Sequence, residues 1–302
     1  MSLIINHVNY IYGANTIMEV KALDDVSFQI GEGEFIGVIG HTGCGKSTLM
    51  QLLNGILKPS SGEIYYNGQD IHDDDFDRRA LRSKVGLVFQ YPEHQLFEVD
   101  VFTDVCFGPK NMGLDEKEVQ LRAYDALKAV GLKDESFYVS PFDLSGGEKR
   151  RVAIAGVLAM KPEILILDEP TAGLDPKGRE EILTLIKQLH DDNNISIVLV
   201  SHSMEDVADY ADRIIVVNDG KIMYDDMPMR VFEHYEELTE IGLSVPSPKR
   251  ILSRLADAGI NVDASAITIK GAVNEIINAY NRKYAGMAPN TGNGGFTGGP
   301  VC

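Results

Sequence analysis

The chain has 302 residues, of which 44% are hydrophobic and 24% charged, so it is long enough for one large domain with a well-buried core and a smaller domain. The formal net charge of −17 argues against a nucleic-acid partner, because a phosphate backbone requires clustered Lys and Arg. Three scattered cysteines, an amino terminus without a secretion signal and the lack of a bilayer-spanning apolar stretch predict a protein of the cytosol.

The amino-terminal segment, up to about Gly33, contains runs in which apolar and polar residues alternate, at residues 5–10 and 26–30. This alternation predicts short antiparallel strands. A further strand at residues 62–66 leads into an Asn-Gly turn. We therefore expect an antiparallel β subdomain at the start of the chain.

A G-x-x-x-x-G-K-S motif occupies residues 40–47, between an apolar run at 35–39 and a helix-forming stretch at 47–57. Strand, loop and helix form the context that a phosphate-binding loop requires. Glycines let such a loop wrap around an anion, and the N–H groups at the helix start point at the phosphates. We expect Lys46 to reach the β- and γ-phosphates and Ser47 to offer its hydroxyl to Mg²⁺. The residues of this segment expected to contact the nucleotide are Gly40, His41, Thr42, Gly43, Cys44, Gly45, Lys46, Ser47 and Thr48.

Two further sequence features are interpreted without a special function. Cys44 is interpreted as a small tolerated side chain rather than as a redox switch. The acidic run at residues 73–75 is interpreted as a solvated loop rather than as a metal site.

From Val85 onward, apolar runs alternate with amphipathic helical patterns, which predicts a mostly parallel sheet covered on both faces. The expected strands are residues 85–89, 164–167, 195–200 and 214–217, and the expected helices are residues 116–130, 148–160 and 178–190. Two more amphipathic helices, at 248–258 and 270–284, predict a small accessory domain. The Gly-rich residues 285–302 are expected to form a disordered tail.

An acid pair follows the apolar strand at residues 164–167. The strand places Asp168 at the edge of the sheet, where it can hold Mg²⁺ through water, and Glu169 beside it can polarise an attacking water. Residues 145–147 (Ser-Gly-Gly) open a helix and give a second anion-binding helix start. Because Lys46 already belongs to a first phosphate site, a second one on the same chain suggests a shared site.

These motifs occur in the order found in the nucleotide-binding subunits of ABC transporters, and residues 4–226 resemble that family. Residues 40–47 resemble its Walker A motif, residues 144–148 (LSGGE) its signature and residues 164–168 its Walker B strand. Four single residues match other family positions: Tyr12 (an aromatic that stacks on adenine), Gln90 (Q-loop), Asp175 (D-loop) and His202 (switch histidine). The resemblance implies an α/β P-loop NTPase fold of the ABC type, with a helical signature subdomain at about residues 91–160.

The resemblance also implies ligands and roles. ATP and Mg²⁺ are the expected ligands, and the residues expected to hold the metal are Ser47, Gln90 and Asp168. The residues expected to take part in catalysis are Lys46, Gln90, Glu169 and His202. In the family each signature closes over the ATP of the other subunit, so further nucleotide contacts are expected at Tyr12, Ser145, Gly146, Gly147 and Asp175.

A narrower resemblance concerns residues 89–97, 107–111 and 144–156, which look like the ATPases of energy-coupling-factor (ECF) transporters. Residues 243–246 are similar to the second ATPase of that pair. The resemblance implies a peripheral protein at the cytoplasmic face of the cell membrane that powers uptake of a vitamin or a transition-metal ion. Its implied partners are a paralogous ATPase in a heterodimer, a transmembrane coupling subunit that contacts the segment after Gln90, and a substrate-binding membrane protein. The implied domains are residues 1–227 for ATP binding and 228–284 for dimerisation.

Three alternatives remain beside this interpretation. The ATPase of a conventional binding-protein-dependent ABC importer has nearly the same motifs. A soluble ABC ATPase acting on DNA or ribosomes is disfavoured by the single cassette and the acidic charge. A regulatory module that binds ATP without hydrolysing it is disfavoured because Glu169 and His202 are both present.

Overall fold

The structure is a computed structural model that describes residues 3–284. The strands of this part of the chain are β1 (Leu3–Tyr12), β2 (Val20–Ile30), β3 (Phe35–Ile39), β4 (Ser61–Tyr66), β5 (Gln69–Asp70), β6 (Val85–Val88), β7 (Ile164–Asp168), β8 (Ser196–Val200), β9 (Arg213–Asn218) and β10 (Lys221–Asp226). Its helices are α1 (Lys46–Leu53), α2 (Arg78–Lys84), α3 (Val101–Asn111), α4 (Glu116–Ala129), α5 (Gly146–Leu158), α6 (Pro176–Asn193), α7 (Met204–Tyr210), α8 (Pro228–Val231), α9 (Tyr235–Glu240), α10 (Ser247–Asp257) and α11 (Ile269–Tyr284). Short 3₁₀ turns lie at Pro92–Gln95, Asp134–Ser136 and Pro141–Asp143.

The predicted antiparallel subdomain is confirmed as a four-stranded sheet with the order β2-β1-β4-β5. Leu3 of β1 pairs with Ile30 of β2 on one side and with Tyr66 of β4 on the other. The turn between β4 and β5 has φ of 50° at Asn67 and 84° at Gly68. These positive φ values are the reason that Asn-Gly favours a tight hairpin turn here.

The larger sheet has the order β10-β9-β3-β8-β7-β6, and only its edge strand β10 runs antiparallel to its neighbour. Every residue of β3, β7 and β8 is buried, as expected for parallel strands that are covered on both faces. In β7, Leu165 and Leu167 pack with the helical layer, whereas Ile164 and Ile166 pack toward the antiparallel sheet. Because β3, β6, β7 and β8 are parallel, the loops that follow them meet at one edge of the sheet.

The helical layer contains α3, α4 and α5, which pack around one apolar cluster with the large sheet. Val105 of α3, Leu127 of α4 and Val152 of α5 are fully buried in this cluster. Helices α4 and α5 agree with the sequence prediction to within two residues at each end. Helices α2, α3 and α7 did not follow from the sequence pattern and are findings of the structure.

The chain divides into two compact units, Met1–Val245 and a second unit that starts at Pro246. The division falls later along the chain than the boundary predicted between residues 227 and 228. The physical reason is that α8 packs on β9 and β10, and Val231 and Phe232 are buried within the first unit. Helices α10 and α11 pack on each other in the second unit. The predicted tail, residues 285–302, lies outside the described residues.

Candidate ATP-binding site

The loop between β3 and α1 has a backbone that only glycine fits at two positions. A Cβ atom added at Gly40 would lie 2.3 Å from the carbonyl oxygen of Val217. A Cβ atom at Gly45 would lie 2.4 Å from the carbonyl oxygen of Ala22, and φ of Gly45 is 105°. The resulting close wrap of the loop leaves the first N–H groups of α1 available to an anion.

Lys46 places a positive charge against this loop. Its side chain is buried, and Nζ donates to the carbonyl oxygens of Gly40 at 2.7 Å and His41 at 2.9 Å. Cys44 is buried beside it, with Sγ 3.7 Å from Nζ of Lys46, so its side chain occupies the interior of the loop. A loop with a fixed ammonium group and free backbone N–H groups is suited to a polyphosphate.

Ser47 and Asp168 form an oxygen pair next to the loop. Oγ of Ser47 donates to Oδ2 of Asp168 at 2.9 Å, which joins the start of α1 to the end of β7. Burial raises the pKa of the Asp168 carboxyl, the Ser47 hydrogen bond opposes that shift, and the charge of Glu169 adds to it. A bound cation relieves this crowding of negative charge, and a hydroxyl beside a carboxylate fits the oxygen ligands that Mg²⁺ prefers.

Glu169, which follows β7, contacts side chains that follow two other strands, β6 and β8. Nε2 of Gln90, which follows β6, donates to Oε2 of Glu169 at 2.9 Å. Nε2 of His202, which follows β8, lies 2.5 Å from Oε1 of Glu169. The structure therefore brings the predicted Q-loop glutamine, the acid after β7 and the switch histidine into direct contact. The Glu169 carboxylate is mostly buried, while Gln90 and His202 are exposed on its open side.

Tyr12 lies at the end of β1, beside the start of α1. Its hydroxyl is hydrogen-bonded to Oγ1 of Thr48 at 3.1 Å, and its ring packs edge to face with that of Tyr10, with 4.8 Å between centroids. Tyr12 is 42% exposed, and its hydroxyl contact with Thr48 keeps it next to the helix that follows the phosphate-binding loop. This position suits an aromatic ring that stacks on a base.

Two other predicted residues act as helix caps within the single chain. Ser145 caps α5 in a capping box with Glu148, and its hydrogen bonds hold the pKa of the Glu148 carboxyl below its usual range. Asp175 caps α6 by accepting the N–H of Gly178 at 2.9 Å. Ser145 and Gly146 are exposed, so the signature helix start faces outward instead of joining the Glu169 cluster.

An ion pair with a buried carboxylate, which sequence reasoning missed, supports the segment that carries His202. Arg179 of α6 donates from Nε and Nη2 to Oδ1 of Asp206, at 3.0 and 2.6 Å. Nη2 of Arg179 also donates to Oγ of Ser203, and Oγ of Ser201 donates to Oδ2 of Asp206 at 3.3 Å. The sequence gives little signal for this pair, because Asp206 is one of three acids in α7 and no local pattern indicates which of them is buried.

The site combines a phosphate-binding loop and an adjoining serine–aspartate pair with a glutamate that contacts both a glutamine and a histidine. This combination defines a P-loop nucleoside triphosphatase. No helix within residues 3–284 has both the length and the apolar character required to cross a membrane.

Comparison with known proteins identifies the family. The family model described as ABC transporter matches residues 23–172. An energy-coupling factor transporter ATP-binding protein EcfA2 from Caldanaerobacter subterraneus subsp. tengcongensis is 53% identical over 277 residues, covering 92% of this chain and 97% of the relative. The protein of the same name from Clostridium tetani is 50% identical and covers 94% of this chain and 99% of its own length. The chain therefore belongs to the ABC transporter family, in its branch of energy-coupling factor ATP-binding proteins.

Solved structures agree with this assignment. CbiO1 from Clostridium perfringens, described as part of the ABC transporter complex cbiONQ, matches with a TM-score of 0.70 and 38% identity, covering 85% of this chain and 97% of its own. A dimeric ATP-binding cassette in a post-hydrolysis state with ADP and Pi matches with a TM-score of 0.67 and 31% identity, covering 75% and 98%. The expected ABC-type fold and the ECF resemblance are both confirmed.

Proposed function

We propose that this chain is the ATP-hydrolysing subunit of an ECF-type importer and couples ATP turnover to uptake of a vitamin or a transition-metal ion through separate membrane subunits. Membership of the family supports ATP hydrolysis coupled to transport. The observation that carries the catalytic part is the convergence of Gln90 and His202 on Glu169, beside the loop that holds Lys46.

The geometry supports a division of roles among the site residues. Lys46 and the N–H groups at the start of α1 bind the β- and γ-phosphates. Ser47, Asp168 and Gln90 hold Mg²⁺, which supplies neutralisation of phosphate charge when it is bound. Glu169 accepts hydrogen bonds and is placed to polarise an attacking water.

Two further side chains complete the nucleotide site. His202 lies at the open side of Glu169, where it can donate a hydrogen bond to the γ-phosphate. Tyr12 stacks on the adenine ring, since its exposed ring lies next to Thr48 of α1.

The outward-facing signature supports a shared ATP site. The helix start at Ser145, Gly146 and Gly147, whose first two residues are exposed, offers anion-binding N–H groups. We therefore place it over the ATP of a second, paralogous ATPase, with Asp175 close to the same interface. A dimeric neighbour bound to ADP and Pi supports this arrangement. In the second compact unit, apolar side chains along one side of α11 are exposed at Ile269, Val273 and Ile277. An exposed apolar helix face supports dimerisation as the role of residues 228–284.

A groove on the helical layer supports a membrane partner. It has a volume of about 500 Å³ and is lined by residues of α2, which precedes Gln90 in the chain, and of α3 and α5, which follow it. Phe97 and Phe107 are exposed at this groove and pack edge to face with 4.9 Å between ring centroids. Exposed aromatic residues are typical of protein interfaces, so we propose that the coupling subunit binds here and holds the chain at the cytoplasmic face of the membrane.

The proposal is tested by purifying a tagged form of the full chain from detergent-solubilised native membranes and identifying the co-purifying chains by mass. We expect a second ATPase, a transmembrane coupling subunit and a small substrate-binding membrane protein, whose identity then defines the cargo. Recovery of a conventional permease pair with a separate extracytoplasmic binding protein would contradict the ECF assignment. Recovery without any membrane protein would contradict the transport role.

A further inference from the structure

Arg150 is a buried cation in α5 that the roles described above do not use. Its side chain is 2% exposed. Nη1 donates to the carbonyl oxygens of Pro170 at 2.8 Å and Ala172 at 2.9 Å, and Nη2 lies 3.2 Å from Oε2 of Glu93. A charge is stable in such a place only when it is paired and hydrogen-bonded, so three segments of the chain are organised around this guanidinium group.

Two of these segments carry the residues that meet at the hydrolytic site. Pro170 directly follows Glu169, and Glu93 lies in the 3₁₀ turn that comes shortly after Gln90. Gln90 and Glu169 are themselves joined by the 2.9 Å hydrogen bond. Arg150 therefore binds the main chain after one member of this pair and the side chain of a residue near the other.

The backbone of both segments has conformations that need such support. Glu169 has φ of 50° and Tyr91, next to Gln90, has φ of 54°. Non-glycine residues keep a left-handed conformation only where the surrounding structure fixes it. In this molecule the hydrogen bonds of Arg150 lie within three residues of each strained position.

We propose that Arg150 is a positioning residue for ATP hydrolysis: it fixes the Gln90 loop and the Glu169 segment relative to each other, so that the amide and the carboxylate stay aligned. This inference rests on the proposed function of Glu169. Arg150 itself does not touch the nucleotide in this arrangement, so its loss changes the alignment of the hydrolytic groups and leaves the phosphate-binding loop in place.

The test is steady-state ATPase kinetics of the full chain in its assembled transport complex, with MgATP as the probe. Arg150→Met removes every donor, and we expect kcat to fall about 100-fold, as misplacement by about 1 Å can cause. We expect KM for ATP to change less than about twofold, because ground-state binding is retained. Arg150→Lys keeps the charge with a different geometry and is expected to restore part of kcat. Glu93→Gln removes only the charge of one partner and is expected to lower kcat without loss of folding, since Glu93 is partly exposed.

The matched control is Arg122→Met in α4. Arg122 is another mostly buried arginine of the helical layer, paired with Glu118 at 2.6 Å and away from both loops. We expect this control to lower the melting temperature without lowering kcat. The inference is wrong if the Arg150 and Glu93 variants keep the wild-type kcat. It is also wrong if these variants only raise KM or lower the melting temperature, with kcat unchanged once the protein is folded and saturated with MgATP. Glu169→Gln in the same assay separates the two proposals, because full activity of that variant contradicts the proposed function itself.

Discussion

Replacing Arg179 with methionine is predicted to destabilise the segment that carries His202. The change removes both hydrogen bonds from the guanidinium to Oδ1 of Asp206, at 3.0 and 2.6 Å, and leaves a carboxylate that is 5% exposed. Breaking a buried ion pair typically costs about 3–5 kcal/mol. The Arg179 side chain is 38% exposed, so solvent screens the pair, and Ser201 still donates to the carboxylate. We therefore expect the free energy of unfolding to fall by about 2 kcal/mol.

This loss is measured by urea unfolding of the full chain and by its melting temperature, which is expected to fall by about 4–8 °C at roughly 2–4 °C per kcal/mol. The rate of ATP hydrolysis is expected to fall as well, because Ser203 loses its contact with Arg179 next to His202. Lys177→Met is the matched control on the same helix, since the pair of Lys177 with Glu181 is exposed and is worth less than about 1 kcal/mol. Equal destabilisation by the two variants would refute the reasoning.

Three further predictions concern the nucleotide site. Tyr12→Ala should raise KM for ATP about 10-fold with little change in kcat, because base stacking is worth about 1–3 kcal/mol. Tyr12→Phe should keep most of the affinity, and an unchanged KM in the alanine variant would contradict the role of the ring. Gly45→Ala should abolish ATP binding in a titration, because the added Cβ would lie 2.4 Å from the Ala22 carbonyl oxygen, and ATP binding by this variant would contradict the loop geometry. The control variant Gly156→Ala should bind ATP normally, since an added Cβ there meets no atom within 4 Å. Removal of Mg²⁺ with excess EDTA should stop hydrolysis and leave ATP binding detectable, and turnover without the metal would contradict the role of Ser47 and Asp168.

The phosphate-binding loop, Gln90, the Asp168–Glu169 pair and His202 were predictable because each one lies at or just after the end of a buried parallel strand. Continuous apolar runs identified β6, β7 and β8, and the ends of neighbouring parallel strands lie at one edge of a sheet. The contact of Gln90 and His202 with Glu169 is the geometric result. The sequence alone identified these site residues, and the structure supplied the distances between their side chains.

The supporting arginines were not predictable from the sequence pattern. Arg150 and Arg179 are charged residues in helices, where a solvated surface position is the usual expectation. Arg150 becomes buried and Arg179 half-buried because their partners come from segments distant in the chain, such as Glu93 and Pro170 for Arg150. No local periodicity encodes that pairing.

Helix α3 and the position of the division between the compact units did not follow from the sequence. Helix α3 contains Gly108 and Pro109, two residues that normally indicate the end of a helix. The boundary at about residue 228 was predicted because the nucleotide motifs are complete before it, but α8 packs on β9 and β10 and the first unit continues to Val245. In both cases tertiary packing decided the outcome, and no local pattern encodes it.

The most direct test of the hydrolytic role of Glu169 is the rate of phosphate release from MgATP by the assembled complex carrying Glu169→Gln. Glutamine keeps the size of the side chain and can still accept the hydrogen bond from Gln90, so ATP binding should persist. Loss of the carboxylate should lower kcat by a factor of about 10²–10⁴, as expected for removal of a general base. Phosphate release at the wild-type rate would contradict the assignment of Glu169 as the residue that activates water.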